Sequence, residues 1–179
     1  MSRYAAFLRA INVGGHTVKM EDLRAIFSAQ GFTHVETFIA SGNVLFDAPA
    51  GDPAGLEEHI ARTLRASLGY EVATFLRTGT ELAEILACSP FSESQMTAAA
   101  AFNIGFLAAA PSPEVIHKLL ALQNEIDTFA TGRREVYWLC RKKQSESTFS
   151  NAVLEKILKI PATLRGISTV EKMTARLQA

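Results

Sequence analysis

Two short stretches near the start of the chain carry residue types that hold anions: Arg9, Asn12, Gly14 and Gly15 on one, Ser41, Gly42 and Asn43 on the other. Neighbouring glycines leave backbone N–H groups open to a ligand, and a guanidinium grips a phosphate or carboxylate through two parallel hydrogen bonds. Together they suit a small anionic or nucleotide-like ligand. The same residues also have an explanation without one. Glycines serve tight turns, Asn12 and Asn43 can close turns through their own side chains, and Arg9 can pack against an acidic neighbour. Neither a phosphate-loop Lys-Ser/Thr pair nor the three-glycine dinucleotide fingerprint is present.

A second candidate is Arg165 with Thr169, a guanidinium beside an expected helix start, where the helix dipole favours anions. Capping alone explains Thr169 equally well. A third is the basic group Arg133, Arg134, Arg141, Lys142 and Lys143, interleaved with Tyr137 and Trp138. Exposed aromatics beside basic residues are how RNA-recognition sheets stack bases. No aromatic-glycine RNA-binding pattern accompanies them, and a formal net charge of zero withholds the pull a nucleic-acid binder exerts. RNA binding or protein interaction is therefore the alternative to ligand binding, and a phosphoryl- or acyl-transfer enzyme the other.

No catalytic residue can be assigned to such an enzyme. Ser41, Cys88 and Ser147 have no identifiable base, and Cys88 is expected in the core. Glu57 with Glu58, and Glu81 with Glu84, fall on helix faces expected to be solvated. His16, His34, His59 and His117 are scattered without ligand spacing, so no metal and no other cofactor is expected.

The elements that must position these residues follow from hydrophobic period and turn chemistry. Tyr4 to Ile11 reads as a buried strand closed by the Asn12–Gly15 turn, and Lys19 to Gln30 as a helix ending near Gly31. Val35 to Ala40 and Val44 to Phe46 form a hairpin about Ser41-Gly42-Asn43. Asp52 to Leu68 is a helix and Glu71 to Arg77 a strand, giving βαββαβ. After a short helix from Thr80 to Ala87 the order begins again. Ala100 to Leu107 is a strand, Ser112-Pro113-Glu114 starts a helix, and Ile126 to Ala130 with Glu135 to Cys140 make a hairpin. Ser150 to Leu158 is a helix, as is Thr169 to Leu177, capped by Ser168 or Thr169 with Glu171 in its first turn. The fold expected is α+β, a tandem duplication of ferredoxin-like (βαββαβ) halves with antiparallel sheets and helices packed on one face. The halves divide into a lobe at 1–78 and a second at 79–179.

Composition agrees with a folded chain: 179 residues, 48% apolar and 20% charged, leave enough to bury and too little charge for disorder. Cys88 and Cys140 lie too far apart to suggest a disulfide framework or a zinc pair. Charges in the first ten residues argue against a signal peptide, and no apolar run approaches membrane length, so a cytoplasmic protein is expected. Oligomeric state is not fixed by the sequence.

Leu8-Arg9-Ala10-Ile11-Asn12-Val13-Gly14-Gly15, then Met20-Glu21-Asp22-Leu23 and Ser41-Gly42-Asn43-Val44-Leu45-Phe46, are distinctive as a set. With Ser89-Pro90-Phe91 and the block from Ala162 to Val170, they resemble the bacterial family catalogued as domain of unknown function 1697. The resemblance implies paired ferredoxin-like halves and no established activity. Position 10, a glycine in the family pattern, is Ala here. The family's Thr-Arg-Asn-Trp-Asn-Thr block is represented by Leu164 and Arg165 followed by Gly166, Ile167, Ser168 and Thr169, without its amides or indole. A family lysine is replaced by Thr148, beside Ser147. A site using those groups would be altered in this protein.

Overall fold

Apolar runs punctuated by caps and glycines determine where each element begins and ends. The computed structural model describes residues 1–12, 14–39 and 42–179. In the first part of the chain, strand β1 (Ser2–Leu8) is followed by α1 (Met20–Ser28), β2 (Thr33–Thr37), β3 (Asn43–Ala48), α2 (Pro53–Leu68) and β4 (Thr74–Thr78). Helices α3 (Gly79–Ala87) and α4 (Glu93–Ala98) then lead to β5 (Ala101–Leu107), α5 (Pro113–Leu120), β6 (Asp127–Thr131) and β7 (Glu135–Cys140). A 3-10 turn (Gln144–Glu146), α6 (Asn151–Leu158), β8 (Ala162–Gly166) and α7 (Ile167–Gln178) complete the chain. Two units result, Met1–Ala83 with Lys172–Ala179, and Glu84–Glu171.

Each unit carries a four-stranded antiparallel sheet, ordered β2-β3-β1-β4 in the first and β6-β7-β5-β8 in the second. This is the ferredoxin-like arrangement, made twice. In the first unit, Leu23 and Phe27 of α1 and Ile60 and Leu64 of α2 share one core with Tyr4, Ala6, Leu8, Val44 and Phe46. Alternation along a strand puts those strand residues on one face, so both helices cover the same side. In the second, Leu119 of α5 and Leu154 of α6 pack with Leu107, Val136, Trp138 and Cys140. Phe27, Phe32 and Phe46 meet with ring centroids 4.7–6.1 Å apart, in the range where aromatic pairs attract.

The caps follow the residue types. Asp52 accepts hydrogen bonds from the backbone N–H groups of Ala54 and Gly55, and Pro53 occupies the first position of α2. Gly69 ends that helix at φ +83°. Ser112 and Ser150 cap α5 and α6 through their hydroxyls. Three expectations need correction. The second repeat is completed by β8, a strand not read from the sequence, and the six-residue α4 was not read either. Helix α7 begins at Ile167, so Ser168 and Thr169 lie inside its first turn rather than before it, and Glu171 follows that turn. Among the described residues, no helix is long and apolar enough to cross a membrane.

Candidate functional site

Strand β1 leaves the first sheet where β3 enters it. Phe7 pairs with Asn43, and the Leu8 N–H donates to the Gly42 carbonyl at 2.8 Å. The strand-exit loop after β1 and the hairpin turn before β3 therefore share one rim, a proximity that element order alone leaves open. The Arg9 N–H donates to the Ala73 carbonyl at 2.9 Å, and its side chain is half-buried. Asn12 Oδ1 accepts from the Val18 N–H at 2.8 Å, closing the loop on itself. The Tyr70 hydroxyl donates to the Ile11 carbonyl at 2.8 Å, and the exposed His16 ring stacks on Tyr70 with centroids 3.8 Å apart and planes 18° from parallel. Gly14 and Gly15, at φ +64° and +84°, are exposed. Buried Asn43 donates from Nδ2 to the Phe38 carbonyl at 3.0 Å, closing the hairpin. Ser41 lies outside the described residues, as do Val13 and Ala40.

Two non-glycine residues on this rim are left-handed: Ala10 at φ +58° and Ile39 at φ +56°. For β-branched Ile39, which is also 50% exposed, that conformation is an outlier, and such strain concentrates at binding and catalytic sites. Ala10 stands where the family pattern has glycine, and its φ explains the glycine. Ala10→Gly is expected to stabilise the protein by about 0.5–1 kcal/mol, left-handed relief outweighing the entropy glycine adds to the unfolded chain. Denaturant unfolding of the variant checks it, and a loss of stability would refute it.

Arg165 lies on β8, paired with Ile104, and its Nη1 donates to Thr163 Oγ1 at 2.6 Å and the Leu164 carbonyl at 2.9 Å. Burial lowers its pKa to about 10, which leaves it charged at neutral pH. Register shows a counterpart that sequence reasoning missed. Arg77 on β4 pairs with Ala5, as Arg165 does with Ile104, and Ala5 and Ile104 are each the fourth residue of their strands. Arg77 Nη1 donates to the preceding Leu76 carbonyl at 2.7 Å, as Arg165 does to Leu164. Both arginines are thus features of the repeat. Arg9 belongs to the first unit, while Arg165 and Thr169 belong to the second.

Other residues are placed differently from expectation. Tyr137 and Trp138 are 2% and 0% exposed, so neither offers a face on which RNA bases could stack. The Trp138 Nε1–H donates to Asp127 Oδ1 at 2.8 Å. Ser147 Oγ donates to Asp127 Oδ2 at 2.7 Å and accepts from the Phe149 N–H at 2.9 Å, so it anchors a turn. Glu57 is buried rather than solvated, its Oε1 accepting from the Leu76 N–H at 2.8 Å. Glu81 accepts from the N–H of Thr78, whose hydroxyl accepts from the Glu81 N–H, a reciprocal cap for α3. Cys88 lies just past α3 and is exposed, whereas Cys140 is buried. Among the described residues, no group of three or more His, Cys, Asp or Glu could hold a metal ion.

The solved structure of a conserved bacterial protein from Streptococcus pneumoniae is similar to this one, with a TM-score of 0.80 and 24% identity, over 100% of this chain and 99% of that one. At that identity the likeness shows the fold alone. No curated protein matches the sequence. The C-terminal block from Ala162 to Val170, where the sequence departs from the family pattern, lies beyond the residues matched by a family model. That model, described as Protein of unknown function (DUF1697), matches residues 1–137, more than half of the chain, and the chain belongs to this family.

Proposed function

We propose that the rim of the first unit binds a small anionic, nucleotide-like ligand. The observation that carries this reading is the 2.8 Å hydrogen bond from Leu8 to Gly42, because it sets the Arg9–Gly15 loop beside the hairpin turn. Positive charge for the anion comes from Arg9 and from Lys19, the residue that precedes α1. Glu21 and Asp22 already complement the first turn of that helix, so its dipole is not the main attraction. Gly14 and Gly15, both exposed, contribute backbone N–H groups. The exposed face of His16, stiffened by the Tyr70 stack, suits the ring of a base. Strain at β-branched Ile39 supports a binding role for this rim.

The test is a thermal-shift screen against nucleotides, sugar phosphates, carboxylates and short RNA, repeated with Arg9→Ala. A ligand at 100 times its dissociation constant adds about 2.7 kcal/mol of stability. The expected result is a shift with a nucleotide or sugar phosphate that is lost in a folded Arg9→Ala protein. A shift that survives Arg9→Ala, or none with any class, would sink the proposal, and a response to RNA alone would favour the alternative.

A further inference from the structure

The segment between α3 and β5 contains helix α4 yet buries little. Helix α4 has a reciprocal cap between Ser92 and Gln95, but none of its residues is buried, and Met96 is 43% exposed. Beside it is a cavity of about 300 Å³ whose wall includes Leu86, Cys88, Phe91, Met96, Phe102 and Glu171, all in the second unit. Phe91 and Phe102 meet edge to face there, centroids 5.8 Å apart. Met and Cys are among the residue types most often interior, so exposing both on one wall leaves apolar surface unfilled. Among the described residues that line the cavity, Glu171 is the one charged side chain.

We propose that this cavity binds a small amphiphilic amine, its aryl or alkyl body against Phe91, Met96 and Phe102 and its ammonium group at the Glu171 carboxylate. The volume is that of a small-molecule pocket, and most of the residues in its wall are apolar, although polar atoms make up nearly half of the surface it exposes. A single carboxylate with no basic residue in the wall selects a cation and disfavours an anion. The aromatic pair adds attraction for an ammonium group that the carboxylate alone would leave in water.

Cys88 supplies the readout, because this exposed residue lies in the same wall, its side chain meeting Tyr137, while buried Cys140 is shielded. Alkylation by iodoacetamide would be followed by intact mass, with 4-phenylbutylamine, 4-phenylbutanol and 4-phenylbutanoate as probes. At ten times its dissociation constant the amine is expected to slow alkylation about tenfold, with the carboxylate producing less than about a twofold effect. Glu171→Gln, an exposed change, should weaken the amine about threefold and leave the alcohol unaltered. Absence of protection by the amine overturns the site. Protection by the carboxylate or alcohol as strong as that by the amine overturns the assignment of its ligand.

Discussion

Replacing Gly42 with alanine is expected to destabilise the protein by about 2–5 kcal/mol and to abolish any ligand response at the rim. Two separate costs add. Gly42 has φ +79°, a left-handed conformation that costs an L-residue roughly 1–2 kcal/mol. An added Cβ would stand 2.8 Å from Ile11 Cγ2 and 3.1 Å from both the Cβ and the carbonyl oxygen of Leu8, and overpacking of this kind costs roughly 1–3 kcal/mol. Neither neighbour yields easily. Ile11 is buried, and Leu8 ends β1, which is held between β3 and β4. Gly14→Ala is the control: φ is +64°, but among the described residues nothing lies within 4 Å of its added Cβ, so only the conformational part, about 1 kcal/mol, applies. Denaturant titrations of the two variants decide the matter. Equal losses would show that the close approach of Gly42 to Leu8 and Ile11 contributes nothing.

That contrast separates what a sequence reveals from what it conceals. The turn chemistry of Ser41-Gly42-Asn43 and of Asn12–Gly15 is readable, because asparagine and glycine favour left-handed and turn conformations. The helix starts were readable from other local chemistry, a side-chain acceptor followed by proline: Asp52-Pro53 and Ser112-Pro113 open α2 and α5, and Glu135–Cys140 is a strand with the bounds expected. The meeting of the two turns was not, since it depends on the pairing of Phe7 with Asn43, distant in sequence. Strand β8 was missed because Ala162–Gly166 is only five residues long, ends in Arg165 and Gly166, and follows a proline. Helix α4 was missed because Glu93–Ala98 has no apolar stripe and rests on its Ser92–Gln95 cap.

The inward placement of Tyr137 and Trp138 did have a signal. Val136 to Cys140 is an unbroken apolar run, and a strand half open to solvent should alternate. All six residues of β7 are buried, Glu135 included, so both faces of the strand are covered. On the first sheet, Ala5, Phe7, Leu45 and Phe75 lie opposite the helix-covered face and are buried as well. The stacking surface of an RNA-recognition sheet is therefore closed at the two aromatics that suggested it. The repeat itself, faint in residue identity, becomes explicit in register: Arg77 corresponds to Arg165, Asn43 to Glu135, and the Leu8–Gly42 hydrogen bond to one from Leu107 to Arg134 at 3.0 Å. Arg165 accordingly occupies a position that the repeat fills with arginine in both units.

Asp127→Ala is expected to cost about 3 kcal/mol, because it removes a charged acceptor from two hydrogen bonds at once and leaves buried donors unmatched. Asp127 is 2% exposed, and its two oxygens receive the Trp138 indole N–H and the Ser147 hydroxyl. Through Ser147 it also steadies the Phe149 N–H, and Phe149 packs edge-on against Trp138 with centroids 4.9 Å apart. Losing the carboxylate thus loosens the turn before α6 as well as the indole. Asp127→Asn keeps an acceptor for the indole and should lose about half as much, while Ser147→Ala should cost about 1 kcal/mol. Trp138 is the chain's single tryptophan, so its fluorescence during urea unfolding reports on the second unit directly. If Asp127→Ala lowers stability by less than about 1 kcal/mol, the pairing compensates only for its own desolvation, and the second unit is held by its aromatic core alone.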